Sequence, residues 1–327
     1  MSTPQSSTPI DVHLEPDWWR RALEHDVRTG LAATPKSIPA KWFYDELGSQ
    51  LFDEITKLDE YYPFRREREI LMARSAEIVA ASGADTLVEL GSGTSEKSRV
   101  LLDAMQAAGT LKRYVPFDVS EEMLRLASDE INAEYPGVAV HGVVGDFERH
   151  IPLVPVAGTG MIAFLGSTIG NFEPPERAAF IADVAKALDP GGTFLLGTDL
   201  VKDPQRMWAA YNDAGGVTAA FNMNLLTMFN RELDADFELT QFEHAADWDA
   251  ENEWIDIRLR SLVAQTVTIG QLDLQVDFAK GEEIRTEVSA KFYLDGVGRE
   301  LAAVNLVVVE QWTDEAGDFA LTLARKE

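Results

Sequence analysis

The 327-residue chain contains no cysteine. That removes disulfides, thiolate metal ligands and a cysteine nucleophile in one step. Histidine is sparse: His13, His25, His141, His150 and His244 are scattered without metal-ligand spacing, so no metal is expected. Positive charge is scarce as well. Lys plus Arg number 29 against 55 Asp plus Glu, a formal net charge of −26. A chain this acidic does not take nucleic acid or an anionic membrane as its main partner by electrostatics. No uninterrupted apolar run is long enough to span a bilayer, and the polar opening MSTPQSSTPIDVHLEP is not a signal peptide. A cytoplasmic protein is expected. What remains is ordinary globular composition, 46% apolar and 26% charged, in a length comfortable for two domains of ~150 residues each.

Residues 1–16 are rich in Ser, Thr and Pro and read as a flexible N-terminus. DWWRRALEHDVRTG then reads as an amphipathic helix, with Asp17 as candidate N-cap and Gly30 as stop. An aromatic-dense stretch follows, read as short helices closing at Pro63, and then a helix over 66–82. From Asp85 to Val201 short apolar runs alternate with helical patterns. Strands are expected at 86–90, 114–119, 138–146, 161–167 and 193–200, with helices at about 95–108, 120–134 and 174–188. Such alternation predicts a parallel sheet covered on both faces. Residues 202–283 break the pattern. Helix-like pieces come first, then period-2 runs in which Ile255, Ile257 and Leu259, and later Leu272, Leu274, Val276 and Phe278, alternate with polar residues. That is antiparallel material, foreign to a parallel sheet. The expected organisation is α/β: a mostly parallel sheet domain from 63–201 plus 284–327, and a second α+β domain from 17–62 plus 202–283. The tail, two strands around an EAGD turn, is expected to rejoin the first sheet as an antiparallel edge.

VELGSGTSEK (88–97) is a strand, a glycine loop and a helix start. Gly91 and Gly93 allow a tight turn and close approach to a ligand. A nicotinamide site would want a third glycine where Glu96 stands, and an acid there adds like charge to a pyrophosphate on the helix N-terminus. A P-loop fails for lack of G-K-[ST]. The loop suits a ligand with a cationic or zwitterionic group near it and no phosphate, and S-adenosylmethionine is such a ligand. E-x-G-x-G after a first strand resembles the first motif of Rossmann-like methyltransferases. Asp118, 27 positions after Gly91, ends the second strand, where an acid accepts ribose hydroxyls. Asp146-Phe147 ends the third: a carboxylate for the adenine amino group and a ring to stack on the purine. Plain loop acids are the alternative for either one alone. L-x-P-G-G before the fifth strand resembles the same family.

The fourth strand ends in MIAFLGSTIGNF, where Gly166, Ser167, Thr168 and Asn171 form a small polar loop beside the expected methyl donor. Asn171 either accepts a hydrogen bond from a substrate amine or caps the helix starting near Pro174. In RTEVSAKFY (285–293), extended geometry sets Glu287, Ser289 and Lys291 on one face, against Val288, Ala290 and Phe292. Glu287 beside Ser289 suits a ring bearing both N–H and N; a solvated strand face is the alternative. Tyr61, Tyr62 and Tyr211 read as core or rim residues.

The stretches KWFYDELGSQLFDEIT…EYYP, VELGSGTSEKSR, FLGSTIGNF, LLGTDLVKD, YNDAGGVTAAFN and TEVSAKF together closely resemble the histidine-specific Nα-methyltransferases of ergothioneine biosynthesis, from about Leu31 to the C-terminus. The resemblance implies a Rossmann-like methyltransferase sheet with an antiparallel last strand. It implies conversion of L-histidine to hercynine by three successive methyl transfers from S-adenosylmethionine. It sets the donor against Gly91, Lys97, Asp118, Asp146 and Phe147, in addition to Gly93 read from the glycine loop itself. Gly166, read from the small polar loop, is a further candidate for contact with the substrate; the resemblance gives the histidine carboxylate to Tyr61 and Tyr211, the amino group to Asn171, and the imidazole to Glu287 and Ser289 with Tyr44 nearby. Asn171 and Tyr61 are the catalytic residues it implies. Ile257 stands where the family pattern would carry Met, a mild swap of similar size. Three rivals stay open: a methyltransferase for another acceptor, a nicotinamide oxidoreductase, and a non-catalytic S-adenosylmethionine binder. A monomer is expected, since no exposed apolar stripe is evident.

Overall fold

A computed structural model describes residues 8–93, 95–147, 149–156 and 158–327. Internal contacts divide the chain into two units. The first comprises the described residues up to Glu15, with Arg65–Leu200 and Phe292–Glu327; the second comprises Pro16–Phe64 and Val201–Lys291. Among the described residues no helix is long and apolar enough to cross a membrane.

The first unit is built on a nine-stranded sheet. Its order is Ile10–Val12, Gly142–Val144, Arg113–Asp118, Thr86–Leu90, Gly160–Phe164, Thr193–Asp199, Phe319–Lys326 and Leu306–Thr313, with Ala139–Val140 also paired to Arg113–Asp118. Pairing is parallel from the first of these to Thr193–Asp199. It turns antiparallel at Phe319–Lys326 and again at Leu306–Thr313. The expected mostly parallel sheet with an antiparallel last strand is therefore present. Every residue of Thr86–Leu90, Gly160–Phe164 and Thr193–Asp199 is buried, as expected for parallel strands that read as continuous apolar runs. Ser120 caps the helix Glu121–Glu134 through its side chain. The tail hairpin closes on Asp314, whose Oδ1 accepts N–H bonds from Asp318 and Phe319, both 2.8 Å. The chain leaves Thr86–Leu90 for Arg113–Asp118 on one side and later returns to Gly160–Phe164 on the other. That reversal is a switch point, and the crevice beyond the carboxyl ends of such strands is where open α/β sheets bind ligands.

The second unit packs the helices Trp18–Ala32, Glu46–Lys57 and Val217–Leu233 with a four-stranded sheet ordered Lys36–Ser37, Glu283–Ala290, Trp254–Ser261, Phe242–Asp249, plus the hairpin Gln265–Ile269 and Leu274–Phe278. Its core gathers Leu23, Val27 and Leu31 with Phe43, Phe221, Phe229 and Leu259. Trp254–Ser261 alternates as its period-2 pattern requires, with Ile255, Ile257 and Leu259 buried.

Several expectations need correction. Residues 284–291 belong to the second unit, because Glu283–Ala290 hydrogen-bonds to Trp254–Ser261. Within the supposedly flexible N-terminus, Ile10–Val12 adds a parallel strand to Gly142–Val144; residues 1–7 lie outside the described residues. Asp17 makes no side-chain cap bond, and the helix runs past Gly30 to Ala32. Gly30 is small for another reason: a Cβ there would lie 1.9 Å from the Ser37 carbonyl oxygen. Pro63 does not close the preceding segment but opens the helix Pro63–Ser82, where a proline lacks only an N–H the helix would not use. The 138–146 strand is split into Ala139–Val140 and Gly142–Val144.

Candidate active site

In the first unit the loop after Thr86–Leu90 is held by backbone bonds. The N–H groups of Gly91 and Ser92 donate to the Phe117 carbonyl at 2.9 and 3.1 Å. Gly91 and Gly93 adopt φ of +70° and +47°, the left-handed region that favours glycine. A Cβ on Gly91 would lie 3.3 Å from the Phe147 ring, while one on Gly93 would meet nothing within 4 Å among the described residues beyond its chain neighbours. The loop thus leaves room for a ligand at Gly93 and brings Phe147 against Gly91. Phe147 stacks on Phe117 with centroids 5.5 Å apart. Asp118 Oδ2 accepts from Gly93 N and Oδ1 from Ser120 N, both 3.0 Å. Burial raises the Asp118 carboxyl above its ordinary range against these backbone N–H bonds. It is oriented by the loop itself, with lone pairs left to accept from a diol. Asp146 is placed by a backbone exchange with His150, donating its N–H to His150 Nδ1 at 3.0 Å.

Glu89 has a structural place beneath this loop. Its carboxylate accepts from the Tyr114 hydroxyl, which lies 2.8 Å from Ser95 Oγ, and burial pushes it up to about 7. Lys97, two residues after Ser95, puts Nζ 2.5 Å from Glu67 Oε2. Gly166, with φ +81°, donates its N–H to Glu67 Oε1 at 2.7 Å. Asn171 ends the short 3-10 turn Thr168–Asn171 and is partly exposed. It does not cap the following helix. Glu173 does, its N–H donating to Glu176 Oε2 at 3.0 Å. Among the described residues no hydrogen bond engages the Asn171 side chain, so its amide is available to a ligand.

The second unit holds an aromatic pocket lined by Tyr44, Phe52, Tyr61, Tyr211, Ile257 and Glu287, among others. Tyr61 meets Tyr211 edge to face at 6.2 Å, and half-exposed Tyr44 meets Phe221 at 5.7 Å. Tyr211 Oη lies 2.6 Å from Ser289 Oγ, and buried Lys291 donates to both oxygens at 3.0 and 2.8 Å. Glu287 faces the pocket without a hydrogen-bond donor among the described residues. Burial pushes its carboxyl up to about 7, against the opposing pull of Lys291.

Glu287 points inward because of a bulge. Its partner across the ladder is Ile257, yet Arg258 pairs with Arg285, so one residue of the Glu287 strand is extra. Ile284 opposes Leu259, which shares a face with Ile257. The bulge therefore puts Glu287 on the same face as Ile284 although they are three apart; an unbroken strand would send it to the other side. The bulged Thr286 is pinned. Its Oγ1 donates to Asn222 Oδ1 at 2.8 Å, and Asn222 Nδ2 reaches the Arg258 carbonyl at 3.0 Å and His244 Nδ1 at 2.9 Å. That last bond makes His244 Nδ1 the acceptor, so Nε2–H donates to the Tyr211 carbonyl at 2.9 Å. Burial lowers the His244 pKa and keeps the ring neutral in this role.

Comparison with known proteins decides the family. The family profile described as "Histidine-specific methyltransferase, SAM-dependent" matches residues 23–326. The chain belongs to this family. It is 57% identical over 312 residues to the Histidine N-alpha-methyltransferase of Mycolicibacterium smegmatis, covering 95% of this chain and 97% of that protein. The Mycobacterium tuberculosis protein of the same name is 55% identical, over 96% of this chain and 98% of its own. The Ergothioneine biosynthesis protein 1 of Neurospora crassa is 30% identical over 94% of this chain but only 36% of its own length. Like the rest of its family, this methyltransferase is S-adenosylmethionine-dependent, and the Gly93 opening, the Asp118 carboxyl and the Phe147 ring fit that donor.

Of the residues picked from sequence, the first unit brings together Gly91, Gly93, Asp118 and Phe147 around one loop, and Lys97 with Gly166 around Glu67. The second brings together Tyr44, Tyr61, Tyr211, Glu287 and Ser289. Sequence reasoning missed Glu67, Asn222, His244 and the supporting part of Lys291. Asn222 lay in plain view inside YNDAGGVTAAFN; an amide at that helical position, amid apolar neighbours, was the signal.

Proposed function

We propose that this methyltransferase acts three times in succession on the α-amino nitrogen of L-histidine, giving hercynine for ergothioneine biosynthesis. The Glu287 carboxyl carries this reading: in an aromatic pocket it waits for a donor, beside the Ser289 hydroxyl, which can donate to a bare nitrogen. A neutral imidazole, with one N–H and one bare nitrogen, answers both. Tyr61 and Tyr211 hold the substrate carboxylate, Tyr44 flanks the ring, and Asn171 orients the amine from beside Gly166. Gly91, Gly93, Lys97, Asp118, Asp146 and Phe147 hold S-adenosylmethionine, which supplies an activated methyl group.

Methyl transfer to an amine is an in-line displacement in which one positive charge replaces another. Little net charge develops, so the protein contributes chiefly alignment, which supplies ~7–11 kcal/mol in favourable cases. The amine must be unprotonated. No histidine stands among the assigned residues to act as base, so Asn171 accepts the remaining N–H and desolvation lowers the amine's pKa, with water taking the proton. The enzyme works as a monomer on small molecules, with neither nucleic acid nor membrane as partner.

Mass spectrometry of the protein with S-adenosylmethionine and the twenty amino acids tests the reading. Histidine should gain one, two and then three methyl groups. Methylation of a different amino acid would overturn the Glu287 pocket, and accumulation of a singly methylated end product would overturn the three-step reaction. Asn171→Ala should lower turnover by roughly 10²-fold, as loss of alignment at a reacting atom does; near-normal turnover would remove Asn171 from its role.

A further inference from the structure

Glu67 lies on the helix Pro63–Ser82, in a run of charged residues that reads as a solvated face, yet it is 0% exposed. Burying a carboxyl group this completely is costly unless it is paired and hydrogen-bonded. Glu67 has two partners among the described residues, one at the start of the helix Glu96–Ala107 and one in the loop after Gly160–Phe164. Oε2 is 2.5 Å from Lys97 Nζ, just beyond the glycine loop, and Oε1 accepts the Gly166 N–H at 2.7 Å, just beyond the strand Gly160–Phe164. The neighbouring strand is shaped around it: a Cβ on Gly197 would lie 2.2 Å from Oε1. Gly166 in turn stands close to the lysine, since a Cβ there would lie 3.3 Å from Lys97 Nζ. One carboxyl group therefore ties the helix that follows the glycine loop to the loop that follows Gly160–Phe164, on either side of the switch point of the sheet.

We propose that Glu67 is a positioning residue that couples the methyl-donor loop to the acceptor loop. It fixes the Lys97 ammonium and the Gly166 backbone at a set separation, so that donor and acceptor contacts form in register. The proposal rests on the donor role of Lys97 and the acceptor role of Gly166 given above. A mere core ion pair would predict something else, namely lower stability with binding and turnover unchanged in the folded protein.

The test compares Glu67→Gln, which keeps the volume and an oxygen for the Gly166 N–H but turns a neutral amide toward Lys97, with Lys97→Met and the double variant. Calorimetry with S-adenosylhomocysteine gives donor affinity, and steady-state kinetics separates kcat from KM. Glu67→Gln should weaken donor binding about tenfold and lower kcat, while in the Lys97→Met background the same change should cost less than about threefold, because the two act as one unit. Gly197→Ala, which displaces Oε1 without changing any charge, should lower kcat in the same direction. Donor affinity and kcat within twofold of wild type in Glu67→Gln, with only the thermal midpoint lowered, would overturn the proposal alone. So would full additivity of the two substitutions. Unchanged donor affinity in Lys97→Met would overturn the donor-site reading and this proposal with it.

Discussion

The Glu287 carboxyl titrates near 7 in the folded chain because burial disfavours its charge, whereas an unfolded glutamate titrates near ~4.3. The native state thus binds this proton more tightly than the unfolded one. Its stabilising contribution is complete below the unfolded value and is lost as pH rises through about 7. At ~1.4 kcal/mol per unit, the penalty at alkaline pH is on the order of a few kcal/mol. Glu287→Gln should therefore melt above wild type at about pH 8 and converge with it near about pH 4.5, while its KM for histidine rises roughly 10²-fold, as when a buried partner of a substrate group is removed. Scanning calorimetry and kinetics read the two effects, and a midpoint difference that does not vary with pH would contradict the burial argument. Residues such as Asp118 and Glu287 were legible because their chemistry is bare in the sequence: an acid at a strand tip, an acid beside a hydroxyl at period 2. Glu67 was not. In RREREI a glutamate at any helical position reads as solvated, and only the packed neighbours Lys97, Gly166 and Gly197 show it to be enclosed.

Among elements, the strand Glu283–Ala290 shows best where local patterning stops being sufficient. Its alternation correctly groups Glu287 with Ser289 and Lys291, but alternation alone does not say which face is inward. The answer comes from the bulge at Thr286 and from Asn222, whose amide holds it. Thr286→Val keeps the β-branched shape and removes the bond to Asn222 Oδ1, leaving a buried acceptor unpaired at ~1–3 kcal/mol. The expected result is a lower thermal midpoint together with a rise of about tenfold in KM for histidine, as a 1.4 kcal/mol loss in positioning Glu287 would give. A lower midpoint with unchanged KM would separate the bulge from specificity. The helix Trp18–Ala32 makes the same point from the other side. Its apolar spacing was readable, whereas Gly30 looked like a terminator and is instead a contact point for the Ser37 carbonyl.

At the scale of the whole molecule the net charge of −26 is spread over 327 residues, and like charges oppose the compact state. Raising salt from ~10 mM to ~150 mM shortens the Debye length from roughly 30 Å to 8 Å, so the thermal midpoint should rise by several degrees over that range. A midpoint that falls would mean that the many surface ion pairs, such as Arg99 with Glu134 and Arg260 with Glu283, outweigh the repulsion. Each unit is assembled from segments far apart in the chain, the first from three and the second from two. By itself the sequence determined the succession of strands and helices, the glycine loop and its acids, and the family, because periodicity, turn chemistry and short motifs act over a few residues and need no partner to be read. Only the tertiary structure decided that residues 284–291 join the second unit, that Glu287 turns into the pocket, and that Glu67 binds Lys97 and Gly166 at once. Those facts depend on which distant backbone supplies a hydrogen-bonding edge and which side chains are shut away from water, and both are fixed only when the chain has folded.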